Sequence, residues 1–468
     1  MSLLKVAGFL PYLAIAFLNA SVDLAHKITI QNVLLKTYDG DILFILTAVI
    51  NAMILLPFIF LFSPSSFIND KFAKIKVIRI CAIFGVVISV AVLFSYLAGA
   101  FGVAFALTLI LAAQSAIYSP AKYGIIKALV GPERLGTANG IIQALTIVAI
   151  LFSSFLFSFI FENLYIQGEN SEEILKSVYP IGIFLVVFSA LEAFFAYKLP
   201  YISETNEQSG EFELKKYISL SYLRENLKEV RSDKNIWLSI AGLSIFWGIS
   251  QIIIAAFPAH YKAVFNDDSS LAVQAILAVS AIGIAFGSYV AGSMSKLHIE
   301  LGIVPFGAFG LALALMVLAN AHSVFWLGTA SFFFGFSGGI FIVPLNAVIQ
   351  FFTADERMGR VLAGSNFIQN IFMVLFLLIA IILVHFAVAS GEIFVMAALC
   401  VLICGIFGAK YLPQLFVRIL LIPFMKFGYQ VHVDGIENIP QKGGVLLLGN
   451  HMSWIDWAVL QMASPRPI

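Results

Sequence analysis

A chain of 468 residues that is 61% hydrophobic and 11% charged, with a mean hydropathy of +0.98, has too little polar surface to wrap a single soluble core; it must be solvated by lipid. A formal net charge of +1 excludes a global electrostatic pull toward nucleic acid or an acidic partner, so only the distribution of charge carries information. The three cysteines, Cys81, Cys400 and Cys404, all fall in apolar runs; this excludes a disulfide framework, and neither a metal nor a cofactor is expected.

Apolar segments long enough to cross roughly 30 Å of hydrocarbon fall near 6–34, 42–62, 77–98, 101–130, 138–162 and 179–198, and again near 237–262, 270–295, 299–320, 322–350, 358–385 and 391–412. The first follows a single lysine and has no small-residue cleavage pattern, so it reads as a retained helix and not as a removed signal. The pattern is six spans, a polar break and six more. The break, 199–236, reads as a linker whose second half has the charge spacing of a short surface helix. It separates an N-terminal bundle (1–198) from a C-terminal one (237–412). With the N-terminus inside, 22 of the 27 basic residues fall on one side and only Lys36, Lys176 and Lys262 on the other, with Lys27 and Lys122 at membrane depth. Because cytoplasmic loops accumulate Lys and Arg, the expected molecule is a multi-pass inner-membrane protein with both termini and the linker in the cytoplasm.

The halves echo each other. Glu133-Arg134-Leu135-Gly136 after the fourth span recurs as Glu356-Arg357-Met358-Gly359 after the tenth, and each follows a span carrying a proline, Pro120 or Pro344. Two parallel six-helix repeats are the arrangement of the major facilitator superfamily. The stretch Ser66–Lys76 resembles that superfamily's loop motif between the second and third helices: Asp70, Lys71 and Lys74 match, while Ser66 and Ala73 replace its glycines. The resemblance implies a gating loop braced by charged hydrogen bonds; a plain positive-inside loop would look the same.

Ionisable residues at mid-bilayer cost roughly 3 kcal/mol or more on insertion scales, so those in the spans must face protein or water. The first span carries Asn19, Asp23, His26 and Lys27, a polar stripe extended by Gln31 and Asn32. Asp23 and Lys27, four apart on one helical face, can neutralise each other. The stripe is either a substrate or gating site or a structural ion pair. In the fourth span Pro120 breaks the hydrogen-bond ladder beside Lys122, a fixed cation suited to a phosphate, or one that snorkels to the interface. Glu192, near the end of the sixth span, reads as ordinary. Gln251, Asn346, Gln350, Asn366, Gln369 and Asn370 read singly as contacts between helices.

The runs Phe17–Asn32 and Ser119–Gly124 resemble the bacterial lysophospholipid transporter family, a flippase branch of the major facilitator superfamily, over roughly residues 1–410. The resemblance implies inward flipping of lysophosphatidylethanolamine and lysophosphatidylglycerol, with Asp23 and Lys122 at polar positions the family uses. In the seventh span, Trp237–Gln251 keeps a Phe-Trp-Gly but holds no arginine.

Beyond Pro413 the pattern changes: an amphipathic stretch, then the strand-like alternation Tyr429–Pro440, then an apolar strand delivering His451, with Asp456 five residues on. A histidine can take the proton of a glycerol hydroxyl while a carboxylate fixes its tautomer. This block resembles the first motif of the glycerophospholipid acyltransferase family, which implies His451 and Asp456 as catalytic residues; a satisfied core histidine is the bland alternative. The family's downstream phosphate-binding arginine and Glu-Gly-Thr-Arg blocks are absent, and about 55 residues cannot build such a domain. Residues 413–468 therefore read as an incomplete α/β segment, the front of a transporter-acyltransferase fusion without acyl transfer of its own. Acyl carrier protein or an acyl-donor domain is expected as the longer fusion's partner. The expected fold is all-α, twelve helices in two six-helix bundles. Two rivals stay open: a proton-coupled exporter of drugs or small metabolites with Asp23 or His26 carrying the proton, and a membrane-anchored acyltransferase.

Overall fold

The computed structural model describes residues 5–131, 135–167, 170–200, 213–231, 233–295, 299–353 and 355–428, with scattered positions beyond 428. The first part of the chain forms α1 (Phe9–Thr37), α2 (Gly40–Phe60), α3 (Phe62–Lys71), α4 (Lys74–Ala98), α5 (Phe101–Gly124), α6 (Ile126–Val130), α7 (Leu135–Leu164), α8 (Ser171–Ser177) and α9 (Tyr179–Lys198). The linker carries α10 (Leu214–Ile218) and α11 (Ser221–Arg231). The second part forms α12 (Lys234–Phe265), α13 (Ser270–Met294), a 3-10 turn at Leu301–Ile303, α14 (Val304–Asn320), α15 (Val324–Phe352), α16 (Asp355–His385), α17 (Ser390–Tyr411) and α18 (Pro413–Gly428).

Eleven helical segments among the described residues are long and apolar enough to cross a membrane, and α7 adds the apolar stretch Val148–Leu164 at the fifth expected position. The expected all-α, twelve-helix fold is what forms, and the chain is a multi-pass membrane protein. The described residues contain no strand, and the strands expected within 429–450 lie largely outside them.

Local chemistry sets the helix ends. Asp233, Ser269 and Ser323 accept backbone N–H bonds at the starts of α12, α13 and α15, satisfying donors that the helix itself leaves open. Gly99 closes α4 at φ 69°, a left-handed conformation that a side chain resists. Large apolar side chains such as Phe286, Leu313 and Ile403 point outward, as befits a surface whose solvent is lipid.

Within the first six long helices α1 packs on α7 and α9, and α4 on α5 and α9; within the second six α12 packs on α16, and α14 on α15 and α17. The closest pairing is α13 with α15, which glycines on both helices permit. A Cβ added at Gly283 or Gly287 would strike the α15 backbone, and one at Gly335 or Gly339 would strike that of α13. The two sets of six meet where α2 contacts α12 and α16 and where α7 contacts α13. Gly8, near the N-terminus, lies against Pro200 at the start of the linker, so both belong to one end of the bundle, called here the linker face. α11 also lies there: it packs on α12 and α16, and its Glu229 pairs with Arg360 at 3.5 Å.

α18 is docked, not loose. Phe416 stacks on Phe306 with ring centroids 4.9 Å apart, the backbone of Leu415 lies against Gly302, and Arg418 forms a buried ion pair with Glu300. Burial pulls the Arg418 guanidinium below its ordinary pKa.

Candidate functional site

The polar stripe of α1 meets α5 where Pro120 interrupts the latter. Lys122 Nζ donates to Asn19 Oδ1 at 2.7 Å and lies 5.7 and 5.6 Å from the ring centroids of Tyr118 and Tyr123. Tyr12 donates its hydroxyl to the Lys122 carbonyl at 2.9 Å, tying the start of α1 to the last turn of α5, whose carbonyls the helix itself leaves open. One turn beyond Asn19 on α1, Asp23 Oδ2 accepts from Ser115 Oγ of α5 at 2.6 Å, while Asp23 Oδ1 is buried without a hydrogen-bond partner among the described residues. The same hydroxyl lies 3.3 Å from Gln114 Oε1, an acceptor it can serve only by leaving Asp23.

The expected Asp23–Lys27 pair does not form. α5 presents a hydroxyl to Asp23 at closer range, and Lys27, half-buried, forms no ion pair with any described residue. His26 is fully buried among α1, α4 and α5: Nδ1 faces Tyr96 Oη at 2.9 Å, and Nε2 faces the Ala104 carbonyl at 3.1 Å and Thr108 Oγ1 at 3.2 Å. Asn19, Asp23 and Lys122 are thus brought together, whereas His26 is engaged inside the first six helices.

Glu192 is a residue that position along the sequence misjudges. Near the end of α9 it reads as an interfacial carboxylate, yet it is 3% exposed, its Oε1 has no hydrogen-bond partner, and it is close enough to Tyr118 and Lys122 to interact with both. Three ionisable groups, Asp23, Lys122 and Glu192, therefore share one poorly solvated region. Among the described residues, the fixed cation of the three hydrogen-bonds neutral Asn19 and no carboxylate.

The opposite end of the bundle holds a second constellation that sequence reasoning missed. Lys36 Nζ lies 3.1 Å from both Glu162 Oε2 and Asp268 Oδ1 and 4.8 Å over the Tyr165 ring, joining α1, α7 and the α12–α13 turn. Lys262 Nζ lies 2.8 Å from Asp39 Oδ1 and donates to the carbonyls of Leu35 and Tyr38. Glu162 Oε1 in turn accepts from the backbone N–H and hydroxyl of Ser270. Apart from Lys36–Glu162, which joins α1 to α7, these bonds cross between the first and second sets of helices, so this end is latched shut. The available signal was the rarity of the cations: two of the three basic residues expected on that side build the latch.

In the loop expected to gate the linker face, Lys71 lies over the Phe67 ring and Lys74 packs on Gly124, two residues from Lys122. The side chains of Asp70, Glu356 and Arg357, and residues Glu133, Arg134 and His451 altogether, lie outside the described residues. Asp456 Oδ2 accepts from the backbone N–H groups of Met452 and Ser453, at 2.6 and 2.8 Å.

Comparison with known proteins follows the same division of the chain. Residues 430–468 match a family model described as acyltransferase. The lysophospholipid transporter LplT of Photorhabdus laumondii is 29% identical over 265 residues, which is 56% of this chain and 62% of that protein. Its namesake in Yersinia enterocolitica is 27% identical over 270 residues, 56% and 61% respectively. The chain thus spans under two thirds of the length of these relatives. In fold it is similar to a bacterial homologue of the iron transporter ferroportin (TM-score 0.62, 15% identity, 87% of this chain and 100% of that one). It is also similar to a bacterial homologue of the human lysosomal transporter Spinster (0.61, 13%, 89% and 98%) and to the xylose transporter XylE of E. coli (0.61, 13%, 86% and 96%). Residues 7–377 match the model of the Major Facilitator Superfamily, and with the twelve-helix architecture this places the chain in that family.

Proposed function

We propose that this protein carries lysophospholipids, lysophosphatidylethanolamine and lysophosphatidylglycerol among them, inward across the bacterial inner membrane for re-acylation on the cytoplasmic side. One observation carries the reading: a cation on α5 and a carboxylate on α1 sit close enough to act on each other, with no ion-pair contact between them. Lys122 is bonded to a neutral amide and Asp23 keeps one oxygen open. A phosphate diester needs a cation, an ethanolamine ammonium needs an anion, and a zwitterionic headgroup carries both. Asn19, Asp23 and Lys122 are the residues that meet it, with Lys27 and His26 along the same helix. The likeness to lysophospholipid transporters supports the substrate class.

The mechanism is alternating access between halves 1–198 and 237–412, joined by the cytoplasmic linker 199–236. The Lys36 and Lys262 latch closes the periplasmic end when the headgroup is released inward, and the loop with Asp70, Lys71, Lys74, Glu133, Arg134, Glu356 and Arg357 closes the cytoplasmic end in the other state. Both termini then lie in the cytoplasm. There the segment with His451 and Asp456 belongs, in a longer fusion, to an acyltransferase supplied by acyl carrier protein or an acyl-donor domain.

The test is uptake of labelled lysophosphatidylethanolamine by cells without other lysolipid import, comparing the parent chain with Asp23→Ala and Lys122→Ala at matched expression. Loss in both variants is the expected result. No uptake by the parent chain refutes the proposal in favour of a small-molecule exporter.

A further inference from the structure

An apolar recess lies outside the polar region just described, between α4 and α5 on the outward surface of the first six helices. Its volume is about 490 Å³. One wall is the face of α4 formed by Val77, Ile80, Cys81 and Phe84, the other the face of α5 formed by Ile110, Ala113, Gln114 and Ile117. Both walls follow helical spacing over seven residues, so the recess runs roughly 10 Å along the helices. Ile80, Phe84 and Ile110 are each about half exposed, on a surface whose solvent is lipid.

Only two polar side chains line this groove. Gln114 Nε2 is committed to the Cys81 carbonyl at 2.9 Å, which leaves that wall without a free donor. Lys76 stands at the linker-face end, exposed, with its ammonium 5.8 Å from the Phe72 ring centroid and no carboxylate partner among the described residues. Arg79, one turn further on, does not line the groove: its guanidinium donates to the carbonyls of Ala196 and Leu199. An elongated apolar slot opening to the bilayer, with a lysine at one end that pairs with no described carboxylate, has the polarity of a phospholipid: acyl chain along the slot, phosphate at the ammonium.

We propose that this groove is a binding site for an anionic glycerophospholipid of the surrounding leaflet, with one acyl chain between α4 and α5 and the phosphate on Lys76. The site is separate from the region of Asp23 and Lys122, because Gln114 stands between them, lining the groove while its neighbour Ser115 bonds Asp23. The occupant is a resident of the leaflet, not the transported molecule.

Phe84→Trp places a fluorophore in the groove wall, which no tryptophan among the described residues lines. The protein is reconstituted in phosphatidylcholine vesicles containing a minor fraction of either brominated phosphatidylglycerol or brominated phosphatidylcholine, and the signal of Phe84→Trp is read against the parent chain. Brominated phosphatidylglycerol is expected to quench at least about twofold more than brominated phosphatidylcholine at equal mole fraction. Lys76→Gln in the Phe84→Trp background should abolish the difference, and millimolar inorganic phosphate should leave it intact. Equal quenching by the two lipids, or an excess that survives Lys76→Gln, overturns the proposal. Erasure of the excess by inorganic phosphate also overturns it, making the groove mouth a free-anion site.

Discussion

Asp23 and Lys122 show why charge in a membrane cannot be assigned from spacing alone. The four-residue interval to Lys27 is favourable on a helix, yet a charged group takes the partner that approaches most closely, and for Asp23 that is a hydroxyl contributed by another helix. The presence of a polar stripe on α1 was legible because each member is costly in lipid; the choice of partners was not, because it depends on the rotation of α5. Glu192 makes the same point from the other direction. Its place near a helix end suggested water, but α9 packs on α1 and α4, and the carboxyl is turned inward toward Tyr118 and Lys122. If Glu192 and Lys122 act on each other during transport, Glu192→Gln and Lys122→Met each lower lysolipid uptake, and the double variant loses less than the product of the single losses. The shortfall is expected to be about tenfold, the size of a coupling of roughly 1.4 kcal/mol. A double variant whose loss equals that product shows two independent groups.

Among the elements, the long helices were the most legible feature, since a 20-residue apolar run in lipid has one way to satisfy its backbone. Expected spans such as 179–198 and 270–295 match α9 and α13 to within a residue. What sequence could not disclose is which helix faces which. The α13–α15 contact depends on glycines scattered through two apolar runs, where each looks like an ordinary small residue. Gly335→Ala should force the two backbones apart and lower stability by about 1–3 kcal/mol, read as an earlier thermal transition in detergent. Gly328→Ala, on the same helix but with open space around it, should leave the transition in place. Equal behaviour of the two variants contradicts the close packing. The latch was hidden for a similar reason: Lys36 and Lys262 lie 226 positions apart, and only the meeting of the two halves brings them to one seam. With Lys36 5% exposed, its pair with Glu162 is worth more than a surface salt bridge, about 1–2 kcal/mol, whereas Asp39 is 79% exposed and the Lys262 pair adds about 0–1 kcal/mol. Removing both, as Lys36→Ala with Lys262→Ala, should shift the population toward the state open at that end by about tenfold or more. Spin labels at Ile42 on α2 and Ala272 on α13 report it as a longer, broader distance distribution, and an unchanged distribution would mean that apolar packing alone holds the seam.

At the scale of the whole molecule the question is whether the bundle and the tail are one device or two. α18 is fastened to the second half by the Phe416–Phe306 stack and by the buried Arg418–Glu300 pair, so α18 moves with that half. The transport reading nevertheless assigns every substrate contact to residues before 200, and twelve spanning helices exceed what an anchor requires. A chain ending at Leu412 should therefore keep lysolipid uptake, with one complication that the structure makes explicit. Removing α18 strips Glu300 of its guanidinium partner and leaves a carboxylate in the recess that the tail had covered, an uncompensated charge that costs roughly 3–5 kcal/mol where it stays buried. Truncation alone could then fail through instability and be misread as loss of mechanism. Glu300→Gln removes that charge while keeping the shape, so the decisive comparison is the truncated chain with and without Glu300→Gln. Uptake close to the parent value in the truncated Glu300→Gln protein assigns transport to the helical bundle and makes α18 a strut for what lies beyond it. A stable, monodisperse truncated Glu300→Gln protein that transports nothing would make the tail part of the transport cycle.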